Sequence, residues 1–207
     1  MTAEARLRAL ARLTCAVLVC ATTARSESVR FDANVAGNEL TIAEDAAAPV
    51  QRLTVDGKTV VAPPANPNYF ERDGIRFRVP DTFPRDGKDV YLIVEHLDQN
   101  IAQMAVRFDR DGGPATPNVY RPAAYAGAAA LAGYTATGTG TPRRAAFQLS
   151  APSFQHHQRN GGDIQIEGVR SLARVTLTTE LPADAVEQAR REIPQLPKPQ
   201  LALQKPM

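Results

Sequence analysis

The chain has 207 residues, with 24 lysines and arginines against 22 aspartates and glutamates for a formal charge of +2, and no tryptophan. That length allows one ordinary domain plus tails, and a charge so near balance excludes both bulk attraction to nucleic acid and a polyanionic surface. The 16 prolines and 13 glycines suit a loop-rich sandwich.

At the start, Arg6, Arg8 and Arg12 precede an apolar run from Leu13 to Ala21, and small residues close it at Thr22-Thr23-Ala24 and Ala24-Arg25-Ser26. This is the layout of a secretory signal peptide over residues 1–26. The apolar run is well short of the ~20 residues that span a bilayer. No stable membrane span is therefore expected after cleavage, and the mature chain is expected to be secreted or periplasmic. Cys15 and Cys20 would leave with the signal, and Cys20, preceded by Leu18-Val19, lacks the small residue of a lipoprotein site. The mature chain would then carry no disulfide, thiol nucleophile or thiolate metal site and would rest on an ordinary core.

Beyond this segment, apolar and polar residues alternate at the period of two that half-buried strands require. Leu40 and Ile42 alternate with Glu39 and Thr41, and after an Ala/Pro-rich loop Leu53 and Val55 alternate with Arg52 and Thr54. Asp56-Gly57, set between LTV and KTVV, predicts a two-residue hairpin because both turn residues tolerate positive φ. Pro63-Pro64 and Asn66-Pro67-Asn68 mark a loop, and Tyr69-Phe70 reopens ordered structure. Ile75, Phe77 and Val79 alternate with Arg76 and Arg78, giving a strand with one basic face. From Asp89 to Asp98 both faces carry apolar bulk, which predicts a central buried strand. Met104, Val106 and Phe108 read as its next partner.

Between Asp111 and Pro142, prolines and glycines predict a loop with one short strand, although Ala123 to Ala132 would pass for a helix on propensity. Ala145, Phe147 and Leu149 form one face of the next strand. Pro152 stops sheet pairing, Asn160-Gly161-Gly162 supplies a turn, and Ile164 and Ile166 resume the alternation. Val169 to Thr179 reads as the closing strand. Ala183 to Ile193 reads as a helix, with Asp184 near its start and Arg190-Arg191 near its end as the helix dipole favours. The proline-rich remainder reads as an extended tail. The expected organisation is a signal over 1–26, an all-β, two-sheet antiparallel β-sandwich over 27–181, and a short helix with a Pro-rich tail over 182–207.

Three stretches carry a resemblance: Tyr69-Phe70 with IRFRVPDTFPRDGKDVYLIVEHLD, the strand ending MAVRFDRDG, and AAFQLSAPSFQHHQRNGGDIQIEG. Over roughly residues 38–178 this series resembles the galactose-binding-like jelly rolls found as accessory modules of secreted bacterial glycoside hydrolases and polysaccharide-degrading proteins. Such modules commonly read N-x-G-A-D-F-R-I at the last turn. This chain has a shorter spacing there, with Ile164-Gln165-Ile166 in place of Phe, Arg and Ile. The resemblance implies a jelly roll, a carbohydrate-binding or accessory role without catalysis, and compatibility with a structural calcium ion held by aspartates and backbone carbonyls.

The residues themselves name a ligand less directly. His156 and His157 are adjacent and would point to opposite faces of extended backbone, so they read as loop polar residues rather than as ligands of one metal. His96 reads as a satisfied edge histidine. Asp73, Asp81, Asp86, Asp98, Asp109 and Asp111 mostly adjoin Gly or Pro and read as turn residues. No nucleophile elbow is present, and Gly138-Thr139-Gly140-Thr141 lacks the lysine and helix of a phosphate loop and reads as a flexible connection. Sugar recognition pairs an aromatic platform with hydrogen-bonding groups. The candidate ligand-binding residues are therefore Asn118, Tyr120, Arg121, Tyr125 and Tyr134 in the loops, with Arg159 in the later crossover. No catalytic residue and no metal ligand set is assigned. The expected function is a secreted, non-catalytic carbohydrate-binding module with a polysaccharide or glycan as partner. The alternatives are a small glycan-active hydrolase or lyase built on carboxylates that meet only on folding, and a structural envelope protein that binds a protein partner through its C-terminal tail.

Overall fold

The computed structural model describes residues 28–64, 74–110, 125–181 and 183–191. The signal segment, Tyr69-Phe70, Asn118, Tyr120, Arg121 and the Pro-rich tail lie outside the described residues. Two antiparallel sheets face one another. The first contains β1 (Ser28–Asp32), β3 (Gln51–Val55), β4 (Lys58–Ala62), β6 (Val90–Leu97), β10 (Ala129–Ala132), β12 (Pro142–Leu149) and β14 (Leu172–Thr178). Its order is β10-β12-β6-β14-β4-β3, with β1 also paired to β14. The second contains β2 (Thr41–Ile42), β5 (Gly74–Arg78), β8 (Ala105–Asp109), β9 (Tyr125–Gly127) and β13 (Ile164–Glu167) in the order β2-β5-β13-β8-β9. A ribbon of β7 (Ile101–Gln103) and β11 (Thr135–Thr137) closes one end.

The alternation read in the sequence sorts side chains onto the two inner faces. Leu92 and Val94 of β6 lie beside Phe147 and Ala145 of β12 and beside Leu177 and Val175 of β14. Opposite them, Ile164 and Ile166 of β13 sit between Phe77 and Ile75 on one side and Phe108 and Val106 on the other. These residues belong to one buried cluster. Phe31 and Phe77 join the two sheets edge to face, with ring centroids 5.2 Å apart.

The hairpin at Asp56-Gly57 forms as expected, with φ of 49° and 74° at the two turn residues. Leu53 is exposed, however, and the buried positions fall on Val60, Val61 and Ala62, because β3 is the outermost strand of its sheet. Strand β6 is central and buried on both faces: Ile93 points away from the sandwich and is covered by helix α1 (Ala183–Arg191), whose Val186 packs on Ile93, Ala132 and Ala146. The segment Met104 to Phe108 is not the partner of β6. It lies in the opposite sheet, against β13 and β9, because β7 carries the chain across. Among its described residues, the stretch expected to hold one short strand holds three, β9, β10 and β11.

Candidate functional site

Strands β1, β14, β6 and β12 are neighbours, and their registers bring four charged residues into one row. Asp32 faces Arg174, Arg174 faces Glu95, and Glu95 faces Arg144. The signs alternate across the sheet, the arrangement in which directly opposed side chains attract. Arg174 bridges the two acids, with Nη2 2.9 Å and Nε 3.1 Å from Asp32 Oδ2, and Nη1 3.0 Å from Glu95 Oε2. Arg144 Nε lies 3.6 Å from Glu95 Oε1, and Arg30 Nη2 donates to Asp32 Oδ2 at 2.6 Å. Burial by itself would raise Asp32. Hydrogen bonds from the Asn34 N–H, Arg30 and Arg174 prevail and hold its carboxyl well below the usual carboxylate range.

The row ends where the sheet changes partners. A bulge falls at Ala173, between the pairs Leu172–His96 and Arg174–Glu95, and on its other side β14 passes from β1 to β4. The side-chain amide of Asn34 fills the gap. Its Oδ1 accepts from Thr59 N at 2.9 Å and its Nδ2 donates to Thr59 O at 3.3 Å, so the end of β1 is tied to β4 as another strand residue would be. Around this junction lies a cavity of about 320 Å3 lined by residues of five strands and the β1–β2 loop, including Lys58, His96, Arg143 and the charged row.

His96 lines this cavity and is only 2% exposed. Its Nδ1 lies 3.3 Å from the Leu97 carbonyl, which can only accept, so the proton sits on Nδ1 and Nε2 carries a lone pair. Among the described residues no group donates to that buried Nε2. The expectation of a satisfied edge histidine is thus corrected: His96 lies near the end of a central strand, and its Nε2 is unpaired and sealed from solvent. Burial pushes its pKa below the ordinary 6.5, with the Arg143 charge acting in the same direction. A histidine lowered in the fold favours the neutral form, so its stabilising share is complete above pH 6.5 and is lost as pH falls through the depressed value. Melting temperatures between pH 7 and pH 5 should therefore decline less in His96→Gln than in the unmodified protein.

Next to His96, the loop read as a flexible connection proves to be an anion cradle with its anion built in. Asp98 is fully buried, and its carboxylate accepts from the N–H groups of Thr137 (2.7 Å), Gly138 (3.0 Å) and Thr139 (3.3 Å) and from the hydroxyls of Thr137 (2.9 Å) and Thr139 (2.8 Å). Gly138, at φ 76°, allows successive N–H groups to converge. Arg143 Nε stands 3.0 Å from Asp98 Oδ2 as the counter-ion. Although burial opposes it, this set of donors holds Asp98 ionised far below the ordinary range.

The crossover 151–163 uses its charges in the same inward way. Ala151, Phe154, His156 and Asn160 all have positive φ, a conformation that costs non-glycine residues on the order of 1 kcal/mol each. Two fully buried carboxylates hold it. Asp163 accepts from Val79 N (2.8 Å), His156 N (2.7 Å) and His156 Nδ1 (2.7 Å), while Asp109 accepts from Gln155 N (2.8 Å) and His157 N (3.1 Å). The adjacent histidines serve different carboxylates, and no three metal-binding side chains converge among the described residues.

Of the residues singled out in the sequence, Tyr134 is half-buried, packs against the main core and lines a separate recess of about 390 Å3 with Met104, Val106 and Phe147. It does not line the charged cavity. Tyr125 opens β9 opposite Asp109, and Arg159 opens a short 3-10 turn at 159–161. The cavity residues were missed because their partners are up to 142 positions apart in the chain. No family model matches the chain, and neither the curated proteins nor the solved structures contain a match.

Proposed function

We propose that the chain is a secreted, non-catalytic, carbohydrate-binding accessory module of the galactose-binding-like jelly-roll kind, and that its sugar site is the charged cavity beside His96. The observation that carries this reading is a cavity lined by arginine, lysine and asparagine donors beside the carboxylates of Asp32 and Glu95. A sugar hydroxyl both donates and accepts, so it can donate to a carboxylate while accepting from a guanidinium. The cavity volume matches one or two pyranose rings, at the small end of the ~300–1,000 Å3 range of ligand sites.

The same cavity holds two carboxylates, Asp32 and Glu95, which is the feature a glycan hydrolase would need. One arginine bridges them, and Asp32 is held ionised rather than poised as an acid. That favours binding over hydrolysis. The protein-docking alternative rests on the C-terminal tail, which lies outside the described residues, while Val186 of α1 packs on the sheet beneath.

The test is retention of the mature chain on insoluble polysaccharides, with soluble oligosaccharide titration and a reducing-sugar assay alongside. Lys58→Ala, an exposed substitution on the cavity lining, should weaken binding about tenfold, the equivalent of one hydrogen bond of ~1.4 kcal/mol. Release of reducing ends would establish the hydrolase reading instead. Equal retention of the Lys58→Ala variant would remove the cavity from the sugar site.

A further inference from the structure

We infer that the crossover 151–163 is a strap that tightens as pH falls through the range in which histidine takes up a proton, with the His156 ring, held between the carboxylates of Asp163 and Asp81, as its clasp.

Two of the chain's three histidines lie in this crossover, and each sets a ring nitrogen beside a fully buried carboxylate. His156 Nδ1 is 2.7 Å from Asp163 Oδ2, and His157 Nδ1 is 3.4 Å from Asp109 Oδ1. Both oxygens of Asp163 already accept backbone N–H groups, Oδ2 from Val79 and Oδ1 from His156 itself. The carboxylate is therefore the acceptor towards the ring as well, and the proton of the neutral imidazole sits on Nδ1. That leaves a lone pair on Nε2, which faces Asp81 Oδ1 at 3.4 Å. Two acceptors oppose one another there. A second proton turns Nε2 into a donor and sets an imidazolium against a carboxylate on either side, a charge-assisted contact at both ends of the ring.

The other charged groups around the ring do not reverse this. Asp81 comes from the loop between β5 and β6, where Arg85 Nη2 donates to the same Oδ1 at 2.7 Å. Arg78 of β5 donates to the carbonyls of Asn160 and Gly161, and His157 is turned to Asp109 of β8. Both arginines stay charged throughout the histidine range, so the change falls on the imidazoles. Burial raises Asp163 despite its donors, so a cation on His156 is worth most to this carboxylate.

The strap has something to hold. It carries Phe154 into the core, fully buried and edge-on to Phe83 with ring centroids 6.1 Å apart, while the four non-glycine residues at positive φ favour release. The ring lies between two carboxylates only while the strap is closed. Closing therefore takes up a proton, and a lower pH favours the closed form.

The experiment is amide exchange at pH 8 and at pH 5.5, corrected for the intrinsic rate at each pH, with 15N spectra of the histidine rings recorded in parallel. Relative to β6 and β14, protection across 151–163 should rise about fivefold at pH 5.5, the upper end for a partly exposed ion pair. His156→Gln should abolish the rise. Asp81→Asn, an exposed substitution that leaves the contact of Nδ1 with Asp163 in place, should cut it to twofold or less. Protection that stays level or falls while the His156 ring takes up its proton overturns the inference, as does a ring still neutral at pH 5.5. An undiminished rise in Asp81→Asn removes the clasp.

Discussion

Asp98→Ala is expected to destabilise the protein by about 3–5 kcal/mol, the range for removing one partner of a buried ion pair. The loss has two parts. Arg143, itself nearly buried, is left without its counter-ion, and the amides and hydroxyls of residues 137–139 are left without an acceptor. Asp98→Asn should be nearly as damaging, because an amide N–H2 would face the same converging donors. Combining Asp98→Ala with Arg143→Met should recover only part of the loss, since the backbone donors stay unpaired. Because Asp98 is held below its ordinary 3.8, its contribution is complete above that value and disappears as pH falls through the folded one. Urea unfolding at pH 7 and at pH 3 measures both effects: a large gap between variant and parent at pH 7 should narrow at pH 3. A gap of equal size at both would show that the carboxylate charge is not what holds the loop.

Asp163→Ala is expected to cost about 3 kcal/mol, since it strands two buried backbone N–H groups and the His156 ring N–H at once. Here the sign of the charge effect reverses. Burial raises Asp163 despite its donors, so its share of stability is complete below 3.8 and declines as pH rises through the raised value. Asp163→Asn should be damaging too, because an amide N–H2 turned either way meets the Val79 or the His156 N–H. The loss should appear locally as faster amide exchange across 151–163, where four non-glycine residues are held at positive φ. Uniform exchange acceleration through β6 and β14 as well would mean that the crossover is not a separate unit.

These two aspartates show where reading by residue type stops. Asp98 reads as a turn residue along with aspartates that mostly adjoin Gly or Pro. The observation was sound, but the turn that uses it, 137–141, lies some forty residues away. His96 reads as a satisfied edge histidine because it follows the buried strand Val90 to Glu95. Its burial arises from the neighbouring strands β12 and β14, which no local pattern announces. Tyr134 lines the recess over Phe147 and Met104 and not the charged cavity.

What the chain's own order of residues determined is the set of strands and their inward faces. Side chains alternate every residue along extended backbone, so Leu92, Phe147, Ile164 and Leu177 identify the buried faces without knowledge of any partner. The Asp56-Gly57 hairpin and the helix with Asp184 and Arg190-Arg191 at its ends were equally legible, since turn conformation and helix polarity depend on adjacent residues. Only the tertiary structure decided which strands pair, that Met104 to Phe108 crosses to the other sheet, and that Asp32, Arg174, Glu95 and Arg144 stand in one row. Register and burial are properties of pairs far apart in the chain, and the charged cavity exists only where those pairs meet.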